Sequence, residues 1–111
     1  MENNKIYFNI SDQNGVISIS SEVIAGIAAD ACMETKGVSS MASTSKGNRG
    51  VSVTSEEERC QIEAYILVTG DCVIADTAKA VQKNIKAKVE AASGISVDKC
   101  DVFVAGIEFK K

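Results

Sequence analysis

Residues 71–94, DCVIADTAKAVQKNIKAKVEAASG, decide how the rest of the chain is read. Ile74, Ala78, Val81, Ile85, Val89 and Ala92 recur at the three- to four-residue spacing of one helix face. Lys79, Lys83, Lys86 and Glu90 crowd the other face. Asp71 is placed to cap the start, and Gly94 suits the left-handed position just past the end. The pattern predicts a long amphipathic helix whose apolar stripe covers a sheet while its lysines face water.

Working outward, residues 60–69 alternate. Cys60, Ile62, Ala64, Ile66 and Val68 share one face, and Gln61, Glu63, Tyr65 and Thr69 the other, as in a half-covered strand. Upstream, Val51 and Val53 start another strand, residues 43–50 form a polar loop, and residues 38–42 form a short strand. Ser20 or Ser21 caps an earlier helix, with Glu22 at its positive end, Ile24, Ile27, Ala28 and Ala31 as its stripe, and Gly37 past its end. Gly26 inside that helix costs about 1 kcal/mol relative to alanine, which a close packing contact would offset. Downstream, residues 101–109 read as a last strand whose apolar phase switches at Gly106, the mark of a bulge. At the other end, Ile6, Phe8 and Ile10 alternate, as do Ile17 and Ile19, around the turn residues 12–15.

These elements give the order β-α-β-β-β-α-β: an α+β fold with two helices packed on one face of a small mixed sheet. Residues 1–14 read as an N-terminal extension or edge strand, and residues 15–111 as a single domain. At 111 residues and 45% apolar, such a domain buries roughly 60–68% of its unfolded surface without disulfides or metal.

The composition excludes more chemistry than it supports. Histidine is absent, which removes histidine-based triads and histidine metal sites. No GxSxG, GxGxxG or P-loop pattern occurs. The cysteines, Cys32, Cys60, Cys72 and Cys100, form no close pair of the kind zinc sites use. Cys32 and Cys60 fall on apolar faces and read as small buried hydrophobes. Cys72 precedes a helix start, where the dipole favours a thiolate, making it the one redox candidate. Glu56, Glu57 and Glu58 sit in succession on a turn, so their side chains diverge rather than converge on a cation. No catalysis, cofactor or metal is expected.

A net charge of −3 argues against nonspecific nucleic-acid binding. Gly47-Asn48-Arg49-Gly50 matches the GxxG of RNA-binding KH domains, but between strands rather than between helices. No apolar run reaches the ~18 residues of a membrane span. Residues 1–15, polar and asparagine-rich, lack the basic-then-apolar pattern of a secretory leader. The expected location is therefore cytoplasmic, without insertion into a membrane.

AVQKNIK at residues 80–86, followed by Val89-Glu90 and Ser93-Gly94, resembles the alkaline shock protein family of Gram-positive bacteria, the envelope stress response proteins. Three other segments agree in order: residues 15–28 with Gly37-Val38 behind them, residues 50–53 with 62–68, and residues 102–109. The chain departs from the family in having Val73 and Ala75 where prolines usually precede the second helix, and a shorter loop at 43–50. The resemblance implies a cytoplasmic, non-catalytic interaction or scaffold protein of envelope stress. It also implies self-association and a membrane-anchored partner that brings the protein to the membrane. Self-association is expected at Tyr65 and Leu67 or at a free sheet edge, with Lys79, Lys83 and Lys86 as a further contact surface. Two other readings remain open. One is an RNA-binding module using Lys46, Arg49 and the lysine face; the other is an accessory subunit of a lipid-metabolism enzyme, which needs a deep pocket with convergent polar groups.

Overall fold

The computed structural model describes residues 6–42, 50–56 and 59–109. Its elements are β1 (Tyr7–Asp12), β2 (Gly15–Ser20), α1 (Ser21–Glu34), β3 (Val38–Met41), β4 (Val51–Glu56), β5 (Arg59–Thr69), α2 (Ile74–Ser93) and β6 (Val97–Glu108). The expected β-α-β-β-β-α-β order is present, with β1 added in front as the first strand of a hairpin. That hairpin is a separate two-stranded sheet turned by Gln13 and Asn14, where the Asn14 N–H donates to the Asp12 carboxylate at 2.7 Å.

β5 is the spine of the main sheet. Along one edge it pairs in parallel with β6 from end to end. Along the other it pairs antiparallel with two strands laid head to tail, β4 against residues 59–64 and β3 against residues 66–68. Tyr65 marks the handover: its carbonyl accepts from Ala42 N–H at 2.9 Å, and its N–H donates to Gly50 at 2.8 Å. Gly50 makes this corner possible, since φ is +81° and a Cβ there would sit 2.7 Å from the Ala42 carbonyl. The parallel β5–β6 pair requires a crossover, and α2 supplies it.

Both helices pack on the face made by Cys60, Ile62, Ala64, Ile66 and Val68. α1 is capped as expected, the Ser20 hydroxyl accepting from Val23 N–H at 3.3 Å, and it buries Ile24, Ala25, Ala28, Ala29, Ala31 and Cys32. Ile27, assigned to the buried stripe, is only half-buried, because the alanines let that side of the helix approach the sheet instead. α2 buries Thr77, Val81, Ile85 and Val89. The buried Thr35 hydroxyl ties the helices together: it donates to the Ala31 carbonyl at 2.8 Å and accepts from the Asn84 amide at 2.8 Å.

Four details differ from the sequence reading. Asp71 is not the N-cap of α2; the chain turns through residues 70–72, and Val73 takes that position without a side-chain cap bond. Gly94 takes the expected left-handed conformation at φ +79°. The ends of the predicted stripe, Ile74 and Ala92, overhang the sheet and are exposed, while Thr77 fills a core position. Glu90 is drawn off the lysine face, its carboxylate accepting from Val97 N–H at 2.9 Å. That bond helps start β6 at Val97 rather than at 101, and the Asp98 carboxylate holds Cys60 N–H at 3.2 Å across the same junction. The bulge falls where the phase switched: Ile66 pairs Val104 and Leu67 pairs Gly106, leaving Ala105 extra.

Candidate interaction surface

With both helices on one side of the sheet, the other side carries no second layer among the described residues. Strand register identifies its members. Residues directly opposite share a face, so Glu63 stands beside Asp101 and Ser52, Tyr65 beside Phe103, and Leu67 beside Gly106 and Ser40. The Tyr65 and Phe103 rings stack, centroids 4.7 Å apart and planes inclined by 14°. Phe103 remains 41% exposed, and Leu67 lies next in line on β5. Polar groups ring this apolar centre. The Tyr65 hydroxyl donates to Glu63 at 3.3 Å, Lys99 pairs with Asp101 at 3.8 Å, and the Ser39 hydroxyl donates to Glu108. Partial desolvation, then the neighbouring Glu63 carboxylate, push the Tyr65 phenol up, so it stays a neutral donor. An aromatic centre inside a polar rim is the anatomy of a protein interface.

The lysines lie elsewhere. Lys79, Lys83 and Lys86 are exposed on α2, across the sheet from Tyr65, and with Lys99 they border a shallow groove of about 380 Å³ against β6. Gln82 in that groove donates to the Cys100 carbonyl at 3.0 Å, satisfying one outward group of the edge strand. The two surfaces that sequence reading named together thus lie on opposite sides of the sheet, with Lys99 on the edge strand bordering both. Lys46 and Arg49, with most of the 47–50 loop, lie outside the described residues, as do Glu57 and Glu58. Among the described residues, no group of three or more His, Cys, Asp or Glu could hold a metal ion.

The thiols are all free. Cys32 and Cys60 are buried as expected, and burial pushes their pKa up to about 12 and about 11. Cys100 is pushed up to about 11 by burial, then by Asp101 and Cys60. Cys72 is half-buried, in a cavity of about 430 Å³ beside Lys36, Asp76 and Thr77.

Sequence reading missed Phe103. Its only signal was an aromatic in the last strand, and the parallel register that sets it on Tyr65 is not written in either segment alone.

A family model matches residues 9–109, the alkaline shock protein 23 family with cell envelope-related function. The chain belongs to this family. Among its relatives, YloU of Bacillus subtilis is 33% identical over 106 residues, covering 84% of this chain and 88% of YloU. Spy1614 of Streptococcus pyogenes is 28% identical, covering 89% of this chain and 93% of that one. Among solved structures, the fold is similar to the MamM CTD. One variant gives a TM-score of 0.55 at 14% identity, over 79% of this chain and 96% of that one. A zinc form gives 0.52 at 12% identity, over 82% and 87%. At such identity the likeness concerns the fold alone. Among the described residues, no helix is long and apolar enough to cross a membrane.

Proposed function

We propose that this family member is a non-catalytic docking module of the cell-envelope stress response, acting by self-association and by binding a membrane-anchored partner from the cytoplasmic side. The observation that carries the reading is the stacked Tyr65–Phe103 pair on an uncovered sheet face, with Leu67 beside it and a polar rim around it. Adjoining apolar side chains left in water inside a polar rim favour an interaction surface over isolated exposed residues. The absence of histidine supports a binding role, because the commonest general base is missing. The test is sedimentation velocity on the wild type and on Phe103→Ala and Leu67→Lys. The wild type should associate as concentration rises, and both variants should shift toward monomer while keeping the wild-type circular dichroism. A wild type that stays monomeric at millimolar concentration would sink the reading.

A further inference from the structure

We propose that the free edge of β1 pairs antiparallel with the same edge of a second copy, about a two-fold axis through Asn9. The hairpin fixes which backbone groups are available. Asp12 and Gly15 flank the two-residue loop, and the pair beside such a loop exchanges both of its hydrogen bonds. Stepping back by two, Ile10 and Phe8 turn their N–H and C=O toward β2 as well. Ile6 continues the series, its carbonyl accepting from Ser21 N–H at 2.7 Å. Tyr7, Asn9 and Ser11 therefore direct theirs to the opposite edge, where no described residue pairs with them.

That edge faces a cavity rather than another described strand. All five residues from Tyr7 to Ser11 line a cavity of about 560 Å³, with Ser55, Asp98 and residues 94–96 across it. Successive side chains of a strand point to opposite faces, so five in a row meet a cavity only along the strand's edge. The hairpin is also under-packed: a two-stranded sheet is marginal alone, and this one leaves Val16 64% and Ile17 60% exposed.

The sequence of β1 is self-complementary in one full-length register. Edge-facing residues must oppose edge-facing residues, and placing Asn9 opposite Asn9 of the second copy uses all three. Tyr7 then opposes Ser11, and each such pair exchanges two backbone bonds. The same register sets Phe8 against Ile10 of the second copy, so the apolar face meets an apolar face and the polar face a polar one. Ile17, the cross-strand partner of Ile10, and Ile19, that of Phe8, extend the apolar stripe over four strands. The Ser18 hydroxyl donates to the Asn9 amide at 2.7 Å, holding that side chain on the polar face. The result is an isologous, closed contact in which the two hairpins complete one another's sheet.

This pairing rests on the self-association proposed above but not on the face assigned to it, and the two separate experimentally. At the axis the Cα atoms of Asn9 and its copy would lie about 5.5 Å apart, within disulfide range. In a Cys72→Ser background, Asn9→Cys should therefore give a covalent dimer under mild oxidation, and Ile10→Cys should not. Asn9→Pro removes an outward N–H without touching a β1–β2 rung, and should raise the dissociation constant tenfold or more in sedimentation velocity. Cross-linking of Asn9→Cys no faster than Ile10→Cys would overturn the proposal, whatever the proline variant does. Wild-type association by Asn9→Pro, alongside a monomeric Phe103→Ala, would overturn it while leaving the outer-face reading intact. A wild type monomeric at all concentrations overturns both.

Discussion

On the helix side of β5, Cys60, Ile62, Ala64, Ile66 and Val68 are no more than 1% exposed; on the other side Gln61, Glu63, Tyr65, Leu67 and Thr69 all keep part of their surface in water. The backbone and the flanking strands are common to both faces. Only the cover differs, so the strand separates two kinds of energy that proteins usually mix. The covered face supplies folding free energy through apolar burial. The bare face leaves its aromatic stack partly in water, and the proposed role assigns that stack to contacts outside the chain.

The sharpest way to break this contrast is on the covered side. Ile66 is fully buried in the core that the helices and the sheet share, and Ile66→Ala removes its methyl and methylene groups and leaves a cavity. Its cost should be about 2–5 kcal/mol, measured by urea denaturation, because a close-packed α/β core relaxes only partly. An effect below about 1 kcal/mol would mean that the helices do not clamp β5 as described.

Alkali attacks the same face without mutation. The folded chain keeps protons on Cys32 to about 12, and on Cys60 and Cys100 to about 11, whereas unfolded thiols release theirs around 9.0. Above pH 9.0 the unfolded state thus binds fewer protons, and stability falls as pH rises from there toward 11 to 12. Below 9.0 the contribution is fully present. Stability should therefore fall between pH 9 and about pH 10, and a Cys32→Ala, Cys60→Ala double variant should lose less over the same interval. Equal slopes for the two proteins would remove the thiols from the account.

On the bare side the prediction reverses. Phe103→Ala forfeits a stacking contact of about 0.5–1.5 kcal/mol, a modest change in the midpoint, while weakening association at least tenfold. If the variant loses several kcal/mol of stability yet associates normally, the aromatic pair belongs to folding and the contrast between faces collapses.

What sequence shows about these faces follows from the range of the forces involved. The alternation in residues 60–69 marked both faces of β5 because burial acts residue by residue along one strand. The bulge was legible for the same reason: Gly106 sits where the phase of its own strand changes. The partner of Tyr65 was not legible, since Phe103 lies 38 positions away and only the parallel register joins them. Val97–Cys100 were missed as strand because Asp98 and Glu90 act there as backbone acceptors, a use that hydropathy cannot see. The edge of β1 left unpaired among the described residues was invisible too, because it depends on which backbone groups the hairpin consumes.

The start of α2 offers the smallest effect and a control for all the others. α1 begins at Ser20, whose hydroxyl caps it, whereas α2 begins at Val73, 64% exposed and without a capping side chain, so its first N–H groups lack that partner. Val73→Ser places a short acceptor at the N-cap, where the backbone is already extended at φ −89° and ψ 110°. Stability should rise by about 1 kcal/mol, seen as a higher urea midpoint, and Ser20→Ala should lower it by about the same amount. Because Val73 lies on the helix side of the sheet, self-association should not change. A gain in stability that also altered association would show that the cover and the bare face are coupled, and that the two sides of β5 do not act independently.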